Sequence, residues 1–291
     1  MGGARRLTQL PTLQDLEEVA LRELLPAPGS ELYYALLFVP PSIRPALTLL
    51  EAFRRLLATV PQHCSNPDIA RAKLAWWHGE LHTLNTSAAR HVMVRALTPL
   101  TARDPALVPA LFALVDGIAG LLDETRFATT ATRLECYTRT HGPLWEAHAR
   151  MCGLTQEAPR LALRHLGVCI ELAYGLRDLR RTIDAGIAWL CRTHEPTPVA
   201  HRTDILTTAA WYVAVARAEV PFLQAELRAA QTALERWDNR SAPLRAIYVL
   251  CDLARLTLDE IAADGYHVWE RRVEITPLRK FWRALKIRIA T

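Results

Sequence analysis

The stretch Ile170-Glu-Leu-Ala-Tyr-Gly-Leu-Arg-Asp-Leu-Arg-Arg-Thr182 decides how this chain is read. It falls within a long helical pattern predicted from Pro159 to Ile183. Asp178 stands alone on that helix. A helix that holds Mg²⁺ against a diphosphate needs two carboxylates on one face, and only residues three or four apart share a face. The position four after Asp178 is Thr182, and the intervening Arg180 and Arg181 cancel and slightly reverse the local negative charge.

Outward from this segment the pattern stays helical. Helices are predicted over Thr12–Leu25, capped by Thr12, and over Glu31–Val39, capped by Ser30. Others follow over Ser42–Thr59, Asp68–Leu84, Ala88–Leu97 and Ala106–Leu122. A helix over Ala131–Cys152 is expected to bend at Gly142-Pro143. Two or three more fill Thr203–Ala263, and the tail from Tyr266 to Thr291 reads as an extended basic stretch and a short helix. Short loops join them, with Pro99 and Pro105 placed in one such connection. There is no internal repeat and no low-complexity linker. The expectation is an all-α fold with one helical domain over residues 30–291, preceded by a leader and first helix over residues 1–29.

Composition agrees. Hydrophobic residues make up 51% of the 291, enough for a sizeable core, and there are only 12 glycines. Of the 35 basic residues only Lys73, Lys280 and Lys286 are lysine. Arginine suits forked recognition of phosphate or carboxylate. No dense basic stripe precedes the C-terminus, which argues against nucleic acid as a partner. The six cysteines form no C-x-x-C pair and read as reduced residues of a cytoplasmic protein. No apolar run is long enough to span a membrane, and no signal peptide is expected.

Several stretches, in order, resemble the squalene and phytoene synthase family, whose members join two prenyl diphosphates head to head. Leu32-Tyr-Tyr-Ala-Leu-Leu-Phe-Val-Pro-Pro-Ser-Ile-Arg44 resembles the family's opening helix and Pro-Pro-x-x-Arg turn. Leu49-Leu-Glu-Ala-Phe-Arg-Arg55 is similar to its Tyr-Ala-Phe-Cys-Arg segment, and Lys73-Leu-Ala-Trp-Trp-His-Gly-Glu-Leu81 to its Lys-Leu-x-Trp-Trp-x-x-Glu-Leu helix. Ile170 to Asp178 resembles its Gln-Leu-Thr-Asn-Ile-Leu-Arg-Asp, and Gly265 to Trp282 its C-terminal pattern. The resemblance implies the isoprenoid synthase fold, with helices around a central apolar cavity. It implies a diphosphate- or ligand-binding set of Tyr33, Tyr34, Arg44, Arg55, Glu171, Tyr174, Arg177 and Asp178.

The departures fall where the family binds metal. Its first aspartate-rich stretch corresponds to Leu56-Leu-Ala-Thr-Val-Pro-Gln62, which holds no carboxylate. At the second, only Asp178 remains. No metal ligand and no cofactor is therefore expected. The expected function is a catalytically degenerate family member that binds a prenyl or other hydrophobic ligand, or serves as an accessory or assembly factor. The family contains an assembly factor of mitochondrial respiratory complex I that lacks prenyl transfer. One alternative is an active Mg²⁺-dependent prenyltransferase using rearranged ligands: Asp178, Glu171, Asp116 and Asp123. The other is an interaction scaffold with a filled core.

Other features have simpler structural explanations. Asp178 is expected to partner Arg177 or Arg181, and Arg180 and Arg181 are expected to face solvent. The bland reading of Arg55 is a pair with Glu51 or Glu80. His78 and His82 share a helix face, but the expected zinc shell has no completing ligand, so a polar face is the better reading. The basic C-terminal helix carrying Phe281 and Trp282 is compatible with docking on the domain or with peripheral contact to an anionic membrane.

Overall fold

The computed structural model describes residues 25–64, 66–124, 126–194, 205–238 and 240–290. The predicted helix Thr12–Leu25 and the loop beyond His194 lie outside the described residues. Among those described are twelve α-helices: α1 (Glu31–Leu37), α2 (Arg44–Thr59), α3 (Pro67–Leu81), α4 (Val92–Arg103), α5 (Leu107–Asp123), α6 (Thr130–Thr140), α7 (Gly142–Met151), α8 (Glu157–Arg177), α9 (Leu179–Asp184), α10 (Ile205–Glu235), α11 (Arg245–Ala263) and α12 (Pro277–Ile289). The all-α expectation is met.

Helix starts follow from local chemistry. Ser30 Oγ accepts the Tyr33 N–H at 3.2 Å. Asn66 Oδ1 accepts from Asp68 and Ile69 at 2.6 and 3.2 Å, and Thr129 forms a reciprocal box with Thr132. These groups satisfy N–H donors that the first turn leaves without partners. Prolines occupy first turns at Pro45, Pro67, Pro143 and Pro277, where a missing N–H is harmless.

Three boundaries differ from the sequence expectation. Pro99 sits inside α4 rather than in a loop. The segment Ala131–Cys152 is two helices broken at His141, not one bent helix. Pro143 cannot continue the ladder, and Gly142 lets the chain pass close to Arg164, whose Nε would lie 2.4 Å from a Cβ at that position. The long helix ends at Arg177, so Asp178 caps it and precedes α9 rather than lying in mid-helix. The Thr182 N–H still reaches the Asp178 carbonyl at 3.0 Å, which keeps Thr182 one turn away.

α8 is the central helix. Leu166, Val168, Leu172, Ala173 and Leu176 are fully buried, and it packs against α7, α10 and α11. One large apolar cluster surrounds it, and a second gathers α2, α3, α4 and α5 around Phe53, Trp77 and Leu111. Among the described residues no helix is long and apolar enough to cross a membrane.

Candidate functional site

A cavity of about 550 Å³ lies where α1, α2, α8, α11 and the C-terminal segment meet. That size falls within the roughly 300–1,000 Å³ typical of small-molecule sites. A cavity of this size differs from the filled core that the scaffold alternative expects. Leu32, Ile118, Leu121, Ile170, Ile187 and Leu250 supply apolar lining, with Tyr137, Trp145 and Trp189. Gly175 makes room for Trp189: a Cβ there would lie 2.6 Å from its Nε1. The charged lining is denser than the sequence suggests, with Glu31, Glu51, Glu171, Asp178 and Glu274 facing Arg54, Arg55, Arg177, Arg272 and Lys280.

Each of these carboxylates is already held by a base or a hydrogen-bond donor. Asp178 Oδ2 accepts from Arg177 at 2.7 Å, and its Oδ1 is bound by Arg272, which also holds Glu274. Burial would raise the Asp178 carboxyl, but Arg177 and Arg272 outweigh it and the pKa is lowered. Glu31 lies 3.1 Å from Arg177 and 3.0 Å from Lys280. Its burial is likewise outweighed, chiefly by Arg177, and its pKa is lowered. Glu51 accepts from Arg54 at 2.8 Å and lies 3.1 Å from His148 Nε2. Burial opposes ionisation there, yet Arg54 and His148 hold the pKa down to about 2. Glu171 accepts the Trp145 indole N–H at 2.7 Å, with Arg54 at 3.8 Å and His141 at 3.9 Å. Burial depresses the His141 pKa despite Glu171, so the ring is neutral near pH 7.

Arg55 is the exception. It lines the cavity beside Ala58 and Gln62, and its Nη1 is buried without a hydrogen-bond partner. No carboxylate pairs with it among the described residues. Glu51 goes to Arg54 instead, and Glu80 accepts the Arg90 and His91 backbone N–H groups at 2.6 Å each.

Of the residues the sequence singled out, Arg55, Glu171, Tyr174, Arg177 and Asp178 come together in the cavity. Tyr174 donates to the Leu250 carbonyl at 3.5 Å and lies under the Arg177 guanidinium at 4.7 Å, and its phenol pKa is raised, first by burial and then by Glu31. Tyr33, Tyr34 and Arg44 do not line it. On α1, Glu31 and Leu32 face the cavity instead, while Tyr33 is exposed and Tyr34 packs toward Phe281. Arg44 donates to the Leu37 and Val39 carbonyls at 3.2 and 2.7 Å and ties the Pro-Pro turn to α1. Asp116 and Asp123 are exposed on α5, near His78 at 3.5 Å and Arg71 at 2.9 Å. They do not join Asp178 and Glu171. His78 and His82 pack against Phe112, and no metal-ligating group of three includes them among the described residues. Arg180 and Arg181 are exposed, with Arg180 3.7 Å from Asp184.

The ligand set implied by the resemblance omits Glu31, Glu51, Arg54, His141, Trp145, Arg272 and Lys280, which also line the cavity. Glu51 and Arg54 lie in the quoted Leu49–Arg55 segment, and their i, i+3 spacing was the available signal.

Comparison with known proteins places this geometry. The squalene/phytoene synthase family model matches residues 25–279. Two solved structures share the fold. One is squalene synthase HpnC from Alicyclobacillus acidocaldarius, 17% identical, with 89% of this chain and 97% of that one covered at a TM-score of 0.68. The other is a dehydrosqualene synthase in complex with ligand, 15% identical, with 94% of each chain covered at a TM-score of 0.69. No curated protein matches.

Proposed function

The chain belongs to the squalene/phytoene synthase family, and from that premise we propose that it binds a prenyl-type diphosphate or similar amphipathic anion without ionising it. The observation that carries this reading is the fate of the cavity's charges. The carboxylates are committed to internal partners, while Arg55 is left as a cation with an unsatisfied buried nitrogen.

Ionising a prenyl diphosphate requires a positive cluster on the leaving group, and Mg²⁺ supplies it through carboxylate ligands. The residues present do not fit such a cluster. The wall of α2 offers Ala58 and Gln62, and the opposite wall offers Asp178 and Thr182. Drawing Asp178 onto a metal would strip it from Arg177 and Arg272 and leave two guanidinium groups facing the incoming cation. The same guanidinium groups suit a diphosphate directly, because forked donors match its oxygens. The apolar lining suits a hydrocarbon tail.

The test uses farnesyl diphosphate. In EDTA it should raise the melting temperature by several degrees, and Arg55→Gln should abolish the shift. With Mg²⁺ the protein should yield no hydrocarbon or alcohol product. Product that forms in the native protein and disappears in Asp178→Ala overturns the reading in favour of an active synthase.

A further inference from the structure

Away from the cavity, α8 and α10 bring three different metal-binding side chains together. His165 and Cys169 lie one turn apart on α8, which puts them on a common face. Glu226 approaches from α10. His165 Nε2 is 3.0 Å from Glu226 Oε2 and 3.7 Å from Cys169 Sγ, and all three donor atoms lie within 4.8 Å of one another. Zinc bond lengths of about 2.0–2.1 Å to nitrogen, 2.0–2.2 Å to oxygen and 2.3 Å to sulfur give tetrahedral edges of about 3.4 Å for N–O and 3.6 Å for N–S. The two measured separations are each within about half an ångström of those edges.

We propose that His165, Cys169 and Glu226 form a site for a zinc-class transition metal, with solvent in the fourth position. The chemistry excludes magnesium, since a thiolate and an imidazole suit borderline-soft ions. Access is open from one side: His165 and Glu226 are about one-third exposed while Cys169 is buried beneath them. Glu226 has no other ion pair among the described residues, so nothing else holds its charge. The site would staple α8 to α10, and α8 carries Glu171, Tyr174 and Arg177 into the cavity within about three turns of it.

A second trio, Cys191, His194 and Glu219, satisfies the same proximity and fails on chemistry. Glu219 clamps the fully buried Arg133 at 2.5 Å, and His194 Nδ1 accepts the Cys191 amide at 3.2 Å. A metal there would place a second cation on the carboxylate that already neutralises the sealed Arg133 guanidinium.

Cobalt titration of the full chain reads the proposal directly. One equivalent of Co²⁺ should produce a thiolate-to-cobalt absorption band with tetrahedral ligand-field bands, and Zn²⁺ should displace it. Cys169→Ser should remove the thiolate band, and His165→Gln, at a position about one-third exposed that should not disturb folding, should weaken binding at least about tenfold. Cys191→Ser should leave the spectrum unchanged. The proposal is overturned if no stoichiometric band forms in the folded protein, or if the thiolate band survives Cys169→Ser. Because the readout is absorption, its failure is independent of whether the cavity binds a diphosphate.

Discussion

Two arginine–carboxylate assemblies, built from the same groups, sit in opposite surroundings in this molecule. Arg133 and Glu219 are fully enclosed: both side chains are 0% exposed, the guanidinium donates to the Trp189 carbonyl at 3.1 Å, and its Cζ lies 4.0 Å from the centroid of the Trp189 ring. Arg177, Asp178 and Arg272 sit at a cavity, with Asp178 23% and Arg272 32% exposed. Enclosure leaves the first pair only internal partners, with His194 2.9 Å from the second Glu219 oxygen, so an incoming ligand has no route to it. The second borders the cavity, where an incoming anion could compete for its guanidinium groups, as the proposed function requires. Chemistry alone does not separate them; solvent access does.

The largest expected effect tests the enclosed side. Glu219→Ala leaves Arg133 charged in a sealed site, and the cost should be about 3–5 kcal/mol by urea denaturation. A loss below about 1 kcal/mol would mean water reaches the pair, and the contrast with the cavity would fail.

Acid comes next and acts on the buried edge of the cavity. Glu51 has a pKa lowered from 4.5 to about 2 in the folded protein. A carboxyl depressed on folding contributes stability that is full above its unfolded pKa and lost as pH falls through the folded one. The contribution, on the order of 3 kcal/mol, should therefore disappear as pH falls from about 4.5 toward 2. Glu51→Gln should flatten that limb of the stability curve relative to the native protein. An unchanged acid limb would show that Glu51 is not held by Arg54 and His148.

These two assemblies also mark what was legible beforehand. The order of the quoted stretches was enough for the fold, and Glu171, Tyr174, Arg177 and Asp178 were readable as a group because one helix carries them. Adjacent arginines were not resolvable: neighbouring helix positions point about 100° apart, and the choice of Arg54 over Arg55 for Glu51 depends on how α2 rolls against α7 and α8. Tyr33 and Tyr34 were displaced by Glu31 and Leu32 for the same reason. Arg272 and Lys280 reach the cavity from positions some 90 to 250 residues away from Asp178 and Gly29 in the chain, a proximity that no local pattern encodes. The trio on α8 and α10 needed the packing of two helices before it existed at all.

Asp178→Asn sharpens the comparison from the accessible side. Arg177 keeps Glu31 and Arg272 keeps Glu274, so the stability cost should stay below the roughly 3–5 kcal/mol of a stranded buried charge. Removing the one anion shared by Arg177 and Arg272 should strengthen farnesyl diphosphate binding, by about tenfold if the freed attraction is near 1.4 kcal/mol. Isothermal titration in EDTA measures it. Weaker binding would show that Asp178 orients the guanidinium groups rather than competing with the ligand.

The smallest effect concerns charges that are close in sequence and far in access. Arg180 follows Asp178 by two residues, but α9 turns it to solvent, 3.7 Å from Asp184, with both side chains about 60% exposed. Exposed i, i+4 pairs contribute about 0.3–0.5 kcal/mol. Arg180→Ala should therefore leave stability within about 0.5 kcal/mol and the ligand-induced melting shift unchanged, while Arg55→Gln removes that shift. If Arg180→Ala instead weakens the ligand as much as Arg55→Gln, long-range charge rather than direct contact holds the anion. The shift should then also collapse in high salt, because charges separated by more than about 8–10 Å are screened at moderate ionic strength. Contact through Arg55, with its nitrogen buried and its partners absent among the described residues, should resist the same salt.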